Sequence, residues 1–303
     1  MMGSHLIELL LGMGAKVYTV IHARPLPKDL KKNRNLITIK GDLTKWTACM
    51  TAVKGMDYIF HLAAYTGGLG LTASRPASVL YPNLAMDSQI FEAARRENVD
   101  RFLYGSCACI YPDGIEILEE ENAWMGAPPT AHATYSWAKR MGELLAQSYA
   151  KEYKMKIAIV RPANSYGPRD NFDLATSHAI PALIRKAVEG QTPFVIWGKG
   201  ETMRDFIYVK DAVKGMVIAL EKYAVADPIN LATGKGIKIK ELACLVLKIV
   251  GRKPKIIFDT TKPEGQRMRI LSTKKAFEKI KFRAETNLED GIKETVAWYK
   301  QYA

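Results

Sequence analysis

Cysteine is scarce in this chain: four in 303 residues, at Cys49, Cys107, Cys109 and Cys244, too few and too scattered for a disulfide framework. The close pair, Cys107-Ala108-Cys109, lacks the two-residue gap of a zinc knuckle or redox motif, so no metal site is expected. A reducing compartment follows. Long apolar runs are missing too. The opening stretch Leu6 to Leu11 is broken by Glu8, has no basic leader and is far shorter than a membrane span, so the expectation is a cytoplasmic protein, neither secreted nor membrane-inserted. No internal repeat or low-complexity segment is present, which removes solenoids and arrays.

Acidic residues are in deficit, 31 against 44 Lys and Arg, leaving a formal charge of +13. A nucleic-acid partner would need that charge gathered beside aromatic stacking or helix-turn-helix signals. The densest run, Lys28, Lys31, Lys32 and Arg34, has neither and reads as a solvated loop, so no nucleic-acid partner is expected. The surplus suits an anionic small substrate equally well. With 48% hydrophobic and 25% charged residues, the composition is that of an ordinary folded protein with ample core.

What is present is alternation. Helical periodicity over about 4–13 gives way at Gly14 to the β-prone run Lys16–Ile21, and that order repeats. Further strands are expected at Leu36–Ile39, Tyr58–Leu62, Phe102–Tyr104, Ile157–Val160 and Ile229–Leu231, with helices near 78–97, 134–153 and 210–222 between them. Strands alternating with helices predict an α/β fold built on a doubly wound parallel sheet. After Arg161 the character changes, with Pro162, Gly167, Pro168 and Pro181 punctuating a loop-rich stretch, and the tail from about 235 carries its own helices and one strand, Lys255–Phe258. This predicts a second, smaller domain woven from two excursions of the chain.

Chemistry concentrates first at Tyr135-Ser136-Trp137-Ala138-Lys139. An i, i+4 spacing on a helix puts the phenol and the ammonium on one face. A lysine cation near a phenol favours the phenolate, which can then exchange a proton with a hydroxyl or carbonyl. The spacing alone is weak evidence, because a surface pair produces it as readily.

Its company is stronger. His61-Leu62-Ala63-Ala64, Asp42, Asn83, Arg161-Pro162-Ala163-Asn164-Ser165-Tyr166-Gly167-Pro168 and Arg204-Asp205-Phe206-Ile207-Tyr208-Val209 stand in an order and spacing that resemble the extended short-chain dehydrogenase/reductases over essentially the whole chain. The resemblance implies a Rossmann-like domain over 1–163 and 206–233, and a nucleotide-sugar domain over 164–205 and 234–303. It also implies a nicotinamide cofactor held by Gly3, Arg24, Asp42, Leu62, Ala63, Ala64, Asn83, Tyr135, Lys139 and Pro162, and a homodimer. Arg24, where an acidic residue would bind the ribose of NAD, favours NADP, with NAD the alternative.

Within that family, Ala108 and Cys109 stand where sugar 4,6-dehydratases place an Asp-Glu pair, which disfavours a dehydratase. Cys109-Ile110-Tyr111-Pro112 and Ser177-His178-Ala179-Ile180-Pro181 instead resemble GDP-fucose synthase, and the first also resembles GDP-mannose 3,5-epimerase. The likeness implies Cys109 and His178 as the two acid/base groups that invert carbons beside a ketone, a task within reach of a thiol and an imidazole near neutral pH. Tyr135, Lys139 and Cys107 complete the implied catalytic set. Asn164, Arg185, Arg204, Arg267 and Arg269 are the implied contacts of the substrate, for whose diphosphate guanidinium forks are suited. The expected reaction is epimerisation and reduction of a GDP-4-keto-6-deoxy-sugar. A redox-neutral NAD-dependent epimerase, favoured by Gly67-Gly68-Leu69-Gly70, and an inactive sugar-nucleotide-binding subunit are the alternatives.

Two departures bear on these expectations. Met1-Met2-Gly3-Ser4-His5-Leu6 looks like the tail of a strand and Gly-x-x-Gly-x-x-Gly turn of which only Gly3 remains. The expectation is a start upstream, or a sheet without its central strand and with poor cofactor binding. Cys107 replaces a catalytic Ser or Thr, and a thiol is the weaker donor.

Overall fold

The computed structural model describes residues 1–23, 25–66, 74–130, 133–262 and 266–302. The first half alternates as the pattern predicts: α1 Met2–Gly12, β1 Val17–Ile21, β2 Leu36–Lys40, α2 Trp46–Val53, β3 Tyr58–His61, α3 Pro76–Arg96, β4 Arg101–Gly105, β5 Ile117–Leu118, α4 Ala133–Tyr153 and β6 Lys156–Pro162. The second half runs β7 Asn164–Tyr166, α5 Ala179–Val188, β8 Phe194–Trp197, β9 Met203–Tyr208, α6 Val209–Lys222, β10 Ile229–Leu231, β11 Gly236–Lys238, α7 Ile239–Val250, β12 Ile256–Asp259, β13 Met268–Leu271, α8 Lys274–Ile280 and α9 Leu288–Tyr302.

Strands β3, β4, β6 and β10 form a parallel sheet in that order, with Phe102 opposite Ile59 on one side and Ile157 on the other. Its central strands are apolar on both faces because helices cover both. Leu103, Ala158 and Val160 pack with Val213, Met216 and Leu220 of α6 and Leu6 of α1. The alternate residues Phe102, Tyr104, Ile157 and Ile159 pack with Ile90, Phe91 and Ala94 of α3 and Ala146 of α4. The molecule is therefore α/β with a doubly wound parallel arrangement.

That arrangement is split. Strands β1 and β2 pair in parallel as a separate two-stranded sheet, and β1 and β3 are not joined. A cavity of about 1790 Å³ lies between them, lined by Val17, Tyr18 and Val20 on one edge and Ile59, Phe60 and His61 on the other. In the doubly wound order 3-2-1-4-5-6, β2 and β1 hold the first two places and β3 opens the second half. The place of the central strand is the cavity, as the opening residues led one to expect.

The remaining strands build a second layer around β9, in the order β11-β9-β13-β5, with β7 also on β9, while β12 pairs with β8. Helices α5, α7 and α9 bury Ile184, Leu242, Val246, Ile292 and Val296 with Phe194 and Phe206 in a core of their own. The basic run stays solvated, with Lys28, Lys31, Lys32 and Arg34 exposed around the buried Leu30. Among the described residues no helix is long and apolar enough to cross a membrane.

Candidate active site

The turn after β4 is where the chemistry collects, because α4 clamps it at three points. Lys139 Nζ donates to Gly105 O at 2.8 Å, Ser136 Oγ to Cys109 O at 2.9 Å, and Arg140 Nε and Nη2 to Ile110 O at 3.0 and 2.7 Å. The buried face of α4 is thus polar, carrying Ser136, Lys139, Arg140 and Glu143, and it is tolerated because each polar group has a partner. Tyr135 is half-buried on the same turn, with Lys139 Nζ 6.0 Å from its ring centre. The predicted Tyr135, Lys139, Cys107 and Cys109 are therefore neighbours.

Cys107 and Cys109 are joined as a disulfide. The short helical turn Ala108–Ile110 brings their α-carbons to 5.4 Å, within disulfide reach, which reasoning about Cys-x-x-Cys spacing missed. In this state neither sulfur carries a proton, so Cys109 has no acid/base function and Cys107 is no donor. Those roles require the dithiol.

A buried frame holds the turn. Arg161 and Glu143, both at most 1% exposed, form a two-point ion pair at 2.9 and 2.7 Å. Arg161 also donates to Tyr111 Oη and Glu120 O, and Tyr111 Oη donates to Asn230 Oδ1. Glu143 keeps Arg161 ionised despite its burial, which by itself works the other way.

From the second layer Arg269 reaches the same turn, with Arg204 beside it. Arg204 of β9 and Arg269 of β13 are register partners, so both side chains leave the same face of the sheet. Arg269 donates to Ala108 O, the residue between the two cysteines. Burial and then the charge of Arg204 push Arg269 down to about 10, and burial also lowers Arg204. Adjacent cations in a poorly hydrated place are a seat for a multivalent anion.

Other predicted residues have other duties. Asn83 is buried and gives its amide to Tyr65 O and Val79 O while accepting from Tyr65 N, so it shapes the stretch after β3. Asp42 accepts from Thr44 N and Thr44 Oγ1, bonds that hold its carboxyl below the usual range. Arg185 is tied to Glu189 and Phe172 O. Asn164 donates to Asp205 O, and Arg267 is exposed beside β13. His178 is the exposed residue before α5, and among the described residues no hydrogen bond or ion pair joins it to Tyr135 or Cys109. Arg24 and Gly67-Gly68-Leu69-Gly70 lie outside the described residues.

The nicotinamide dinucleotide implied by the sequence can be tested against the cleft. Gly3, Ser4, Leu62 and Ala63 line the cavity where α1 begins and β3 ends, with Ala64 next in the chain. A Cβ built on Gly3 would meet nothing within 4 Å, and no side chain caps α1. An open helix start beside the carboxyl ends of parallel strands suits a pyrophosphate, and these residues fit the group. Pro162 is buried at the end of β6.

Three residues that sequence reasoning did not assign lie under the site: Asp87, Tyr104 and, in its own right, His61. The available signal was Asp87, one turn after Asn83 on the otherwise apolar stripe Val79, Ile90, Phe91, Ala94 of α3.

Comparisons with known proteins agree with this geometry. The model of the NAD dependent epimerase/dehydratase family matches residues 1–232. A GDP-L-fucose synthase of Sinorhizobium fredii is 37% identical over 76% of this chain and 74% of its own. The GDP-mannose 3,5-epimerase of Arabidopsis thaliana is 31% identical over 86% of this chain and 69% of its own. The structure of a GDP-L-fucose synthetase from Naegleria fowleri bound to NADP superposes with a TM-score of 0.82 at 25% identity, covering 99% of this chain and 90% of that one. The chain therefore belongs to the NAD dependent epimerase/dehydratase family.

Proposed function

We propose that this chain is an NAD(P)-dependent nucleotide-sugar epimerase/reductase acting on a GDP-4-keto-6-deoxy-sugar. The observation that carries the reading is the convergence of Tyr135, Lys139, Cys109 and the Arg204–Arg269 pair on one turn. The relatives named GDP-L-fucose synthase support the substrate class, and the NADP-bound Naegleria structure supports NADP over NAD.

In this reading the diphosphate lies against Arg204 and Arg269, with Arg267 at the rim, which puts the sugar over the Gly105–Ile110 turn. In the dithiol state Cys109 removes or returns a proton beside the C4 ketone, and His178, on the loop before α5, serves the opposite face. Tyr135 gives its phenolic proton to the C4 oxygen as the ketone becomes a hydroxyl, and the Lys139 ammonium steadies the phenolate left behind. The nicotinamide, when bound along Gly3, Leu62 and Ala63, supplies the hydride. Residues 164–205 and 234–303 form the substrate-binding part, and the protein works in the cytoplasm as a homodimer.

The test is incubation of the reduced protein with NADPH and a GDP-4-keto-6-deoxy-sugar, following absorbance and the product by mass and stereochemistry. NADPH consumption that disappears in Tyr135→Phe is the expected result. Epimer formation without consumption points to the redox-neutral epimerase, and neither outcome under reducing conditions overturns both.

A further inference from the structure

Beneath the Tyr135–Lys139 pair lies a closed cluster of polar side chains. Asp87 of α3 is 1% exposed, His61 at the end of β3 is 3%, Tyr104 of β4 is 0% and Lys139 of α4 is 2%. Asp87 Oδ1 is bonded to His61 Nε2 at 2.7 Å, and Asp87 Oδ2 accepts from Tyr104 Oη at 2.6 Å. Lys139 Nζ stands 4.8 Å from the centre of the Tyr104 ring. An ionised carboxylate only accepts, so His61 Nε2 carries the proton of its bond. Tyr135 and Glu143 of α4 are the other titratable groups that act on Tyr104.

The backbone is shaped around this cluster. A Cβ on Gly142, three residues after Lys139, would overlap Tyr104 Oη and stand 2.8 Å from Asp87 Oδ2. Glycine lets α4 press onto the carboxylate. A charge in such a place requires a counter-charge. Burial alone would raise Asp87, yet Lys139, His61 and Tyr104 outweigh it and hold the carboxyl below its usual range.

We propose that Asp87 is a positioning residue for the reaction proposed above: its carboxylate, fixed by His61 and Tyr104, is the counter-charge that holds the Lys139 ammonium at Tyr135. The idea rests on that reaction for its purpose, while its electrostatic content is independent of it. Without the counter-charge, a buried ammonium gives up its proton at lower pH.

The experiment reads Lys139 directly, by NMR titration of lysine side-chain resonances in the whole protein, with Lys139→Arg identifying the signal. Asp87→Asn is expected to move the Lys139 midpoint down, and Asp87→Glu to restore it. Tyr104→Phe, which keeps the ring but loses one bond to Asp87, is expected to move it part of the way and serves if Asp87→Asn does not fold. In turnover, the alkaline limb of kcat should fall with the Lys139 midpoint while KM stays within about two-fold, a split a merely structural role does not give. A midpoint unmoved in folded Asp87→Asn or, in its place, Tyr104→Phe overturns the proposal. If the wild type turns over no nucleotide sugar, the proposed function fails, and the Lys139 titration still decides the role of Asp87.

Discussion

Replacing Arg269 by methionine separates a binding residue from a structural one, because the register pairing with Arg204 sets opposite signs for stability and affinity. Side chains leaving neighbouring strands in register start about 5 Å apart. Two cations about 6 Å apart repel by roughly 3 kcal/mol at an effective dielectric near 20. Methionine removes that repulsion and keeps most of the apolar stem, while the lost bond to Ala108 O costs about 1 kcal/mol. The free protein should therefore be unchanged or up to about 2 kcal/mol more stable, which for a chain of this size raises Tm by a few degrees, about 2 °C per kcal/mol. The diphosphate, in contrast, loses a charge-assisted hydrogen bond worth roughly 1.5–3 kcal/mol, or about 10- to 150-fold in affinity. Thermal melts with and without GDP, together with KM for the nucleotide sugar, read both signs. A Tm lowered by several degrees with unchanged affinity would refute the reasoning and make Arg269 a brace for the turn.

Other expectations follow from the cysteines, the buried frame and the acid response. Alkylation of the native protein should mark Cys244 alone, then Cys107 and Cys109 after a dithiol reductant, and Cys49 only on unfolding, since burial pushes its thiol up to about 11. Mass spectrometry counts the adducts, and three marked cysteines before reduction would deny the disulfide. Glu143→Gln leaves Arg161 as a buried charge without its partner and should cost about 3–5 kcal/mol in a urea melt, whereas a loss under 1 kcal/mol would mean that water reaches the pair. Asp87 titrates lower in the folded protein than the ordinary aspartate value of 3.8, so its contribution to stability is present above that value and is lost as pH falls through the folded one. Asp87→Asn should accordingly flatten the decline in stability below about pH 4, and parallel acid limbs in the two proteins would contradict it.

The alternating layers were legible because their signals are local. Lys16–Ile21 and Ile157–Val160 are β-branched runs between periodic helices, and both emerge within a residue or two of the expected bounds. The helix from about 134 was legible for the same reason, and the spacing of Tyr135 and Lys139 on it places both groups on one face whatever the tertiary fold. These features depend on neighbours along the chain.

Contacts between distant segments were not legible, and they decide the chemistry. Nothing local tells whether Cys107 and Cys109 are thiols, because that depends on the turn at Ala108–Ile110 bringing their α-carbons together. Nor does local pattern pair Arg204 with Arg269, which are 65 residues apart in number and adjacent only through the β9–β13 register. Nor does local pattern give the partners of Arg185, which bonds Glu189 and Phe172, or of Asn83, whose amide bonds Tyr65 and Val79. The Asp87 cluster joins β3, α3, β4 and α4, four elements whose order is plain from the chain, but its charge is set by desolvation that exists only once they are packed. Periodicity and spacing are properties of the sequence, whereas partners and dielectric belong to the folded molecule.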